Sequence, residues 1–187
     1  MAGRFLSVVD DFLPGAIDFR ESALDATYGS LSYGSEVYER MSMTGSKEEA
    51  VVKPHIERVV GFPIEPVASY WRLSGVGEST GMGFDWRVHA DDSVAAYSCV
   101  LHLSFPGLER GGTAFWRPLD ADRVVTLADF RDPSLWSLDL MVNMQFNRGI
   151  LFDARMVHSA QPIAGWGETP EESRLVWACF FNRSHVS

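Results

Sequence analysis

The chain has 187 residues, of which 46% are hydrophobic and 22% are charged, and its formal net charge is −9. This length suits one domain with a proper core, and the composition excludes a wholly disordered chain. Nucleic acids and anionic membranes are bound through basic patches, so the acidic balance argues against both as general partners. We expect a single domain over residues 1–187.

The two cysteines, Cys99 and Cys179, lie in apolar runs that are typical of strands. No Cys-x-x-Cys pair and no Cys/His zinc spacing is present, so we expect buried free thiols in a reducing compartment. The apolar stretch near the start of the chain is interrupted by Asp10 and Asp11, so it is too short for the hydrophobic core of a signal peptide. No apolar run is long enough to span a membrane. A cytoplasmic location is therefore expected.

Residues 1–65 are predicted to form a helical support. Residues 5–9 indicate a short strand, and the turn at 10–14 leads into a helix that ends near Ala26. Residues 28–34 are rich in Gly, Ser and Tyr, which predicts a loop.

A second helix is predicted to begin at Ser46, whose spacing to Glu49 is that of a capping box. Pro54 is expected to kink or restart this helix, and Gly61 is a plausible carboxyl-terminal cap.

Residues 66–187 carry strand patterns separated by turn residues. The predicted strands are 68–74, 85–90, 94–105, 111–118, 136–146, 150–158 and 174–182. The turn at 147–149 predicts a hairpin between its two flanking strands. Residues 119–135 are polar and irregular with a short helix, and the glycine-rich stretch 75–83 is either a surface connection or a lid. Short strands after a helical third predict a jelly roll with helices packed on one sheet.

Within the run 86–104, which has strand character, His89 and Asp91 are two residues apart. Alternate residues of a strand share a face, so an imidazole and a carboxylate are expected side by side. They make up two thirds of a 2-His-1-carboxylate iron site if a second histidine joins them. His158 is that candidate, and Arg174 follows it at the start of the last strand.

The ordered set of His-x-Asp, His and Arg resembles the iron(II)- and 2-oxoglutarate-dependent oxygenases, in the branch of the prolyl 4-hydroxylases. Further similar stretches are D-D-F-L-P, G-G-T-A-F-W-R-P, N-R-G-I-L-F-D before His158, and H-S-A-Q-P from His158. The resemblance covers residues 5–182. It implies a double-stranded β-helix core of the jelly-roll, cupin-like kind over residues 66–187.

The resemblance also implies the chemistry. Fe(II) would be held by His89, Asp91 and His158, and 2-oxoglutarate and O2 would take the open positions. Oxidative decarboxylation to succinate and CO2 would drive hydroxylation of a C–H bond in a small molecule, an amino acid or a peptidyl side chain. A guanidinium stays protonated and pairs bidentately, so Arg174 suits the far carboxylate of 2-oxoglutarate.

Two positions depart from the pattern of the family. His102 stands where relatives often have Tyr, and it either contacts the cosubstrate or is a packed core histidine. Val176 stands two residues after Arg174, where many members have Ser or Thr, so one auxiliary hydrogen bond is missing.

Substrate contacts are predicted only in outline. Arg87 shares a face with His89 and either binds a substrate anion or forms a surface ion pair. Trp116, Arg155 and Trp166 are further candidates at the rim. The alternative to the oxygenase is a cupin-like metalloenzyme, or a metal-binding jelly-roll protein, that does not use 2-oxoglutarate.

Overall fold

The computed structural model describes residues 4–33, 36–75, 88–162 and 165–184 of the chain. Strands dominate these residues, which confirms a mostly β fold with amino-terminal helices. In chain order the elements are β1 (Leu6–Val9), α1 (Ala16–Leu24), β2 (Gly29–Tyr33), β3 (Glu36–Met43), α2 (Ser46–Val60), β4 (Ile64–Ser74), β5 (Tyr97–His102), β6 (Gly112–Pro118), two 3-10 turns (Asp129–Arg131 and Pro133–Leu135), β7 (Trp136–Asn143), β8 (Arg148–Asp153), β9 (His158–Gln161) and β10 (Arg174–Arg183). Neither described α-helix is long and apolar enough to cross a membrane.

A larger antiparallel sheet has the strand order β1-β8-β5-β10-β4-β3-β2. On its outer face, Trp177 of β10 and Trp71 of β4 pack against Phe19 of α1, with ring centroids 5.9 Å and 4.5 Å from the Phe19 ring. Cys99 and Cys179 are buried free thiols in the same core, as expected. The helices therefore cover the outer face, and alternate residues of each strand point to the opposite, inner face.

A smaller sheet with the order β7-β6-β9 packs on that inner face. Phe115 of β6 and Val142 of β7 form an apolar cluster with Ile150 and Phe152 of β8. The rings of Phe115 and Phe152 meet edge to face, with centroids 5.1 Å apart. This contact joins the inner faces of the two sheets into a second core.

The amino-terminal region differs from the expectation of helices joined by a loop. The loop prediction for residues 28–34 is wrong, because Gly29–Tyr33 forms β2 and pairs with β3, which in turn pairs with β4. Small residues have low strand propensity, so this strand depends on its neighbours rather than on its composition. Residues 1–65 thus contribute three complete strands as well as two helices.

The second helix forms as predicted, with its cap one residue earlier. Gly45 is the amino-terminal cap, and the Glu48 carboxylate accepts its N–H at 3.0 Å. Pro54 lies inside a continuous helix, and Gly61 ends the helix with a φ of 76°.

The hairpin predicted around residues 147–149 is wrong. β7 pairs with β6 in the smaller sheet, whereas β8 pairs with β5 and β1 in the larger sheet. The predicted strand over 150–158 is accordingly two strands, β8 and β9, that belong to different sheets. The turn thus carries the chain from one sheet to the other.

We expect Asn147→Ala to lower the free energy of unfolding by about 2 to 4 kcal/mol. Asn147 has a φ of 60°, and its buried side chain accepts the Leu13 N–H at 2.9 Å and donates to the Leu13 carbonyl at 3.0 Å. Alanine would leave the N–H and the carbonyl of Leu13 unpaired. It would also have to adopt the left-handed conformation of residue 147, which alanine disfavours more than asparagine does. Urea unfolding measures the loss, and Asn143→Ala, at an exposed site nearby, is expected to cost under about 0.5 kcal/mol. A loss below about 1 kcal/mol for Asn147→Ala would contradict this account.

Candidate metal centre

His89 and His158 are neighbours because their backbones form an antiparallel bridge. The His89 N–H donates to the His158 carbonyl at 3.0 Å, and the His158 N–H donates to the His89 carbonyl at 2.8 Å. Residues paired in this way project their side chains on the same side of a sheet. The two imidazole centroids are accordingly 4.4 Å apart.

Asp91 joins the two histidines through strand alternation. Val88 packs in an apolar cluster with Trp136 and Val157, while His89 and Asp91 lie on the other side of the segment. Asp91 Oδ1 is 3.5 Å from His89 Nε2, and Asp91 Oδ2 is 3.4 Å from His158 Nε2. The Asp91 N–H donates to the Ala154 carbonyl at 2.8 Å, which holds this segment against the end of β8.

This donor set fits a metal ion. An ion roughly 2 Å from each ligand atom needs ligand atoms about 3 to 4 Å apart, and the two Asp91 contacts lie in that range. One ligand atom from each of the three residues lies within 4.8 Å of the others. The His89 side chain is 48% exposed, while those of Asp91 and His158 are 9% and 8% exposed, so the group opens towards solvent at His89.

Two hydrogen bonds orient the buried members of the group. His158 Nδ1 lies 2.9 Å from the Met156 carbonyl, which can only accept, so the ring proton is on Nδ1 and the Nε2 lone pair faces Asp91. Burial lowers the pKa of His158 to about 4, which keeps its ring neutral at pH 7. The Ser98 hydroxyl donates to Asp91 Oδ2 at 2.7 Å and leaves Oδ1 available for an ion.

Arg174 and His102 both lie on the inner face of the larger sheet. In the register of β5 with β10, His102 is opposite Val176, which shares a face with Arg174. Arg174 is 4% exposed and His102 is fully buried. Burial and the nearby Arg174 charge lower the pKa of His102 well below its usual value, so the imidazole is neutral. Its Nε2 lies 3.4 Å from the Thr113 hydroxyl of the smaller sheet.

Of the other predicted substrate residues, the structure describes Trp116, Arg155 and Trp166. Trp116 packs in the apolar cluster of Val88 and Trp136, and its Nε1 donates to the Ser159 hydroxyl at 2.9 Å. Arg155 is mostly exposed and pairs with Asp153 at 2.9 Å, where it lines an open cavity of about 560 Å³. Arg87, and the stretch 75–83 beyond Gly75, lie outside the described residues.

Tyr70 and Arg72 on the inner face of β4 were missed by the sequence reasoning. The Tyr70 ring centroid is 5.8 Å from that of Phe180. Burial, together with the negative charge of Asp91, raises the pKa of Tyr70 to about 12. Alternation within the predicted strand at 68–74 could have identified both residues, because they alternate with the apolar Trp71 and Leu73.

No family model and no curated protein matches the sequence. Several solved structures share the fold at low identity. The α-ketoglutarate-dependent non-haem epimerase SnoN from nogalamycin biosynthesis is 16% identical, with a TM-score of 0.58 over 94% of this chain and 77% of its own. AviO1 from Streptomyces viridochromogenes Tue57 is 13% identical, with a TM-score of 0.58 over 98% of this chain and 91% of its own.

EctD from S. alaskensis, solved with bound Fe, is 13% identical, with a TM-score of 0.54 over 95% of this chain and 72% of its own. SnoN has also been solved with Fe³⁺, α-ketoglutarate and nogalamycin RO, and EctD with 2-oxoglutarate and 5-hydroxyectoine. At these identities the similarity establishes the fold, and this chain shares it with enzymes that bind iron and a 2-oxo acid.

Proposed function

We propose that the protein is an Fe(II)- and 2-oxoglutarate-dependent dioxygenase that oxidises a C–H bond of a small molecule, an amino acid or a peptidyl side chain. The observation that carries the proposal is the convergence of His89, Asp91 and His158, with ligand atoms within 4.8 Å of one another, between two facing sheets. The similar fold of iron-binding, 2-oxo-acid-binding enzymes supports it.

The route of the chain supports a double-stranded β-helix. β4, β5, β8 and β10 belong to the larger sheet, whereas β6, β7 and β9 belong to the smaller one. The bridge at His89 adds a fourth segment beside β9. The chain thus passes repeatedly between two facing sets of four segments, which is the organisation of a jelly roll.

In this proposal the three ligands hold the iron, and Arg174 binds the far carboxylate of 2-oxoglutarate. The bound iron and 2-oxoglutarate supply oxidative decarboxylation to succinate and CO2 coupled to substrate oxidation. The chain orients the reactants: the Met156 carbonyl fixes the His158 tautomer, and Ser98 fixes Asp91. The buried sides of the group exclude water, and the exposed side at His89 admits the substrate.

Tyr70 and Arg72 extend the proposal to substrate binding. Both lie on the inner face of β4, where Arg72 is opposite Val176 and Tyr70 is opposite Ala178 of β10, on the face that also carries Arg174. A phenol that stays protonated at pH 7 and a guanidinium would together recognise a polar or anionic group. The small-molecule complexes of SnoN and EctD support a small substrate, and the epimerase among them makes epimerisation the alternative outcome to hydroxylation.

The proposal is tested by anaerobic titration of the purified metal-free protein with Fe(II) and 2-oxoglutarate, followed by visible absorbance. A weak charge-transfer band that requires both components is expected, because the 2-oxo acid chelates the iron. Iron binding without the band would favour the cupin-like alternative. Absence of iron binding would exclude the metalloenzyme altogether.

Ser98→Ala is expected to weaken Fe(II) binding about 10- to 100-fold, because ligands lose affinity when their supporting hydrogen bonds are removed. The alanine removes the 2.7 Å bond to Asp91 Oδ2. Ser98→Thr keeps a hydroxyl and should restore most of the affinity. Ser69→Ala removes a buried hydroxyl that bonds Glu49 of α2, away from the metal ligands, and should leave Fe(II) affinity unchanged within about twofold. Equal affinity of Ser98→Ala and the unsubstituted protein would contradict the role of Ser98.

A further inference from the structure

Trp166 lies in the connection between β9 and β10, where two glycines fix its position. Gly165 and Gly167 have φ angles of 70° and 86°, which favour glycine. A Cβ atom at Gly165 would come within 2.3 Å of the Ser74 carbonyl, so the chain passes directly against the end of β4. The Trp166 N–H donates to the same Ser74 carbonyl at 3.2 Å. The residue is therefore held at the carboxyl-terminal end of β4.

The Trp166 side chain packs on the inner face of that sheet, near Arg174. It is 7% exposed and forms an apolar cluster with Met144 and Val176, against which Val100 also packs. Val176 follows Arg174 by two residues on one face of β10, and it is opposite His102 in the register with β5. Trp166, His102 and Arg174 thus surround one inner region of the fold.

The buried indole Nε1 of Trp166 has no hydrogen-bond partner among the described residues. By contrast, Trp136 donates to the Asp129 carbonyl at 2.9 Å, and Trp177 donates to the Thr44 hydroxyl at 3.1 Å. Nδ1 of the buried His102 also has no partner among the residues that the structure describes. Buried polar groups are nearly always paired, so two such nitrogens around one region point to a bound group that supplies the acceptors.

The donor chemistry defines that bound group. An indole and a guanidinium can only donate, so their partner presents acceptor oxygens and a negative charge. The Thr113 hydroxyl can donate to or accept from His102 Nε2; in the tautomer in which Nε2 accepts, the neutral imidazole carries its proton on Nδ1 and is a third donor. The two oxygens of a carboxylate can accept this set of hydrogen bonds, whereas a neutral ligand would leave the buried charge of the guanidinium uncompensated.

We propose that Trp166 is a specificity-determining residue that donates its indole N–H, together with His102 and Arg174, to the distal carboxylate of a dicarboxylic 2-oxo acid. The inference rests on the proposed function and assigns to Trp166 the hydrogen bond that Val176 cannot make. It also gives Val176 a role, because the valine packs against the indole and holds it in place.

The first test compares Trp166→Phe with the unsubstituted protein in anaerobic binding of 2-oxoglutarate to the Fe(II)-loaded form. Phenylalanine keeps an aromatic ring and removes the N–H. The dissociation constant is expected to rise about 10-fold or more, the loss for one hydrogen bond to a charged acceptor, with Fe(II) affinity unchanged. Trp136→Phe, which removes an equally buried indole N–H elsewhere, should leave 2-oxoglutarate binding unchanged.

The second test uses the unsubstituted chain loaded with Zn(II), which is diamagnetic, and follows the ¹H–¹⁵N signal of the Trp166 indole. 2-Oxoglutarate should shift this signal downfield, whereas pyruvate, a 2-oxo acid without a distal carboxylate, should leave it in place. If 2-oxoglutarate binds but the signal does not shift and Trp166→Phe binds equally well, the role of Trp166 is overturned while the proposed function stands. If the unsubstituted protein does not bind 2-oxoglutarate, the proposed function fails and this subsite fails with it.

Discussion

Asp91→Ala is expected to abolish Fe(II) binding and to reduce turnover by at least about 1,000-fold. Asp91 is the only carboxylate in the described ligand group, and its two oxygens lie 3.5 Å and 3.4 Å from the two imidazoles. Without it the two neutral rings offer neither the charge nor the third position that a facial iron site requires. Equilibrium dialysis with Fe(II) under anaerobic conditions measures the loss directly.

Thermal unfolding separates loss of the metal from loss of the fold. A ligand that binds only the folded state stabilises it by about 4 kcal/mol at 1,000 times its dissociation constant. Fe(II) should therefore raise the Tm of the unsubstituted protein and leave that of Asp91→Ala unchanged. The metal-free variant should unfold at or above the Tm of the metal-free parent, because a buried carboxylate is removed.

Asp92 provides the matched control. It is the next residue in the chain and also carries a carboxylate, but it is exposed and outside the ligand group. Asp92→Ala should keep Fe(II) binding, while His158→Gln, which preserves side-chain size in a buried position, should lose it. Turnover that survived both Asp91→Ala and His158→Gln would refute the oxygenase assignment.

Two of the three residues of the candidate metal group could be predicted from local geometry. Strand alternation alone places His89 and Asp91 on one face, and Val88 packs on the other as that rule requires. The arrival of His158 depends on a backbone bridge between segments far apart in sequence, which local pattern does not encode. His158 was instead predicted from the order of the His-x-Asp, His and Arg motifs, which the chain shares with the family that it resembles.

Sheet membership was harder to predict than strand position. The apolar run at Ile150–Phe152 fits a buried strand, but hydrophobicity does not state which of two sheets accepts it. The predicted hairpin failed for that reason. Strand β2 was missed because its Gly and Ser residues have turn propensity, and only its pairing with β3 makes them extended.

The surroundings of the ligands depend on contacts that run across elements. Strand alternation places Ser98 on the same face as His102, but the hydrogen bond of Ser98 to Asp91 requires the turn after Asp91 to fold back on β5. From the sequence, Trp166 is predicted only as a rim candidate in a loop. Its burial follows from the fit of its flanking glycines against Ser74 and Glu172, which is a tertiary contact.

Arg174→Leu is expected to leave Fe(II) binding intact and to weaken 2-oxoglutarate binding about 100-fold or more. Removing one partner of a buried charge pair commonly costs about 2 to 5 kcal/mol, since the other charge is left without compensation. Arg174 is 4% exposed on the inner face, so solvent cannot replace it. The dissociation constants for Fe(II) and for 2-oxoglutarate are measured anaerobically on the same samples. The first should be unchanged and the second should rise.

Two further variants make the Arg174 result specific. Arg174→Lys keeps the charge but replaces a planar, bidentate donor by a point charge, so it should recover only part of the affinity. Arg183→Leu removes an exposed guanidinium from the other end of the same strand and should bind 2-oxoglutarate normally. If Arg174→Leu binds 2-oxoglutarate as tightly as the unsubstituted protein, the far carboxylate lies elsewhere. The cupin-like alternative predicts instead that neither the unsubstituted protein nor any of the three variants binds 2-oxoglutarate, while all of them bind Fe(II) equally.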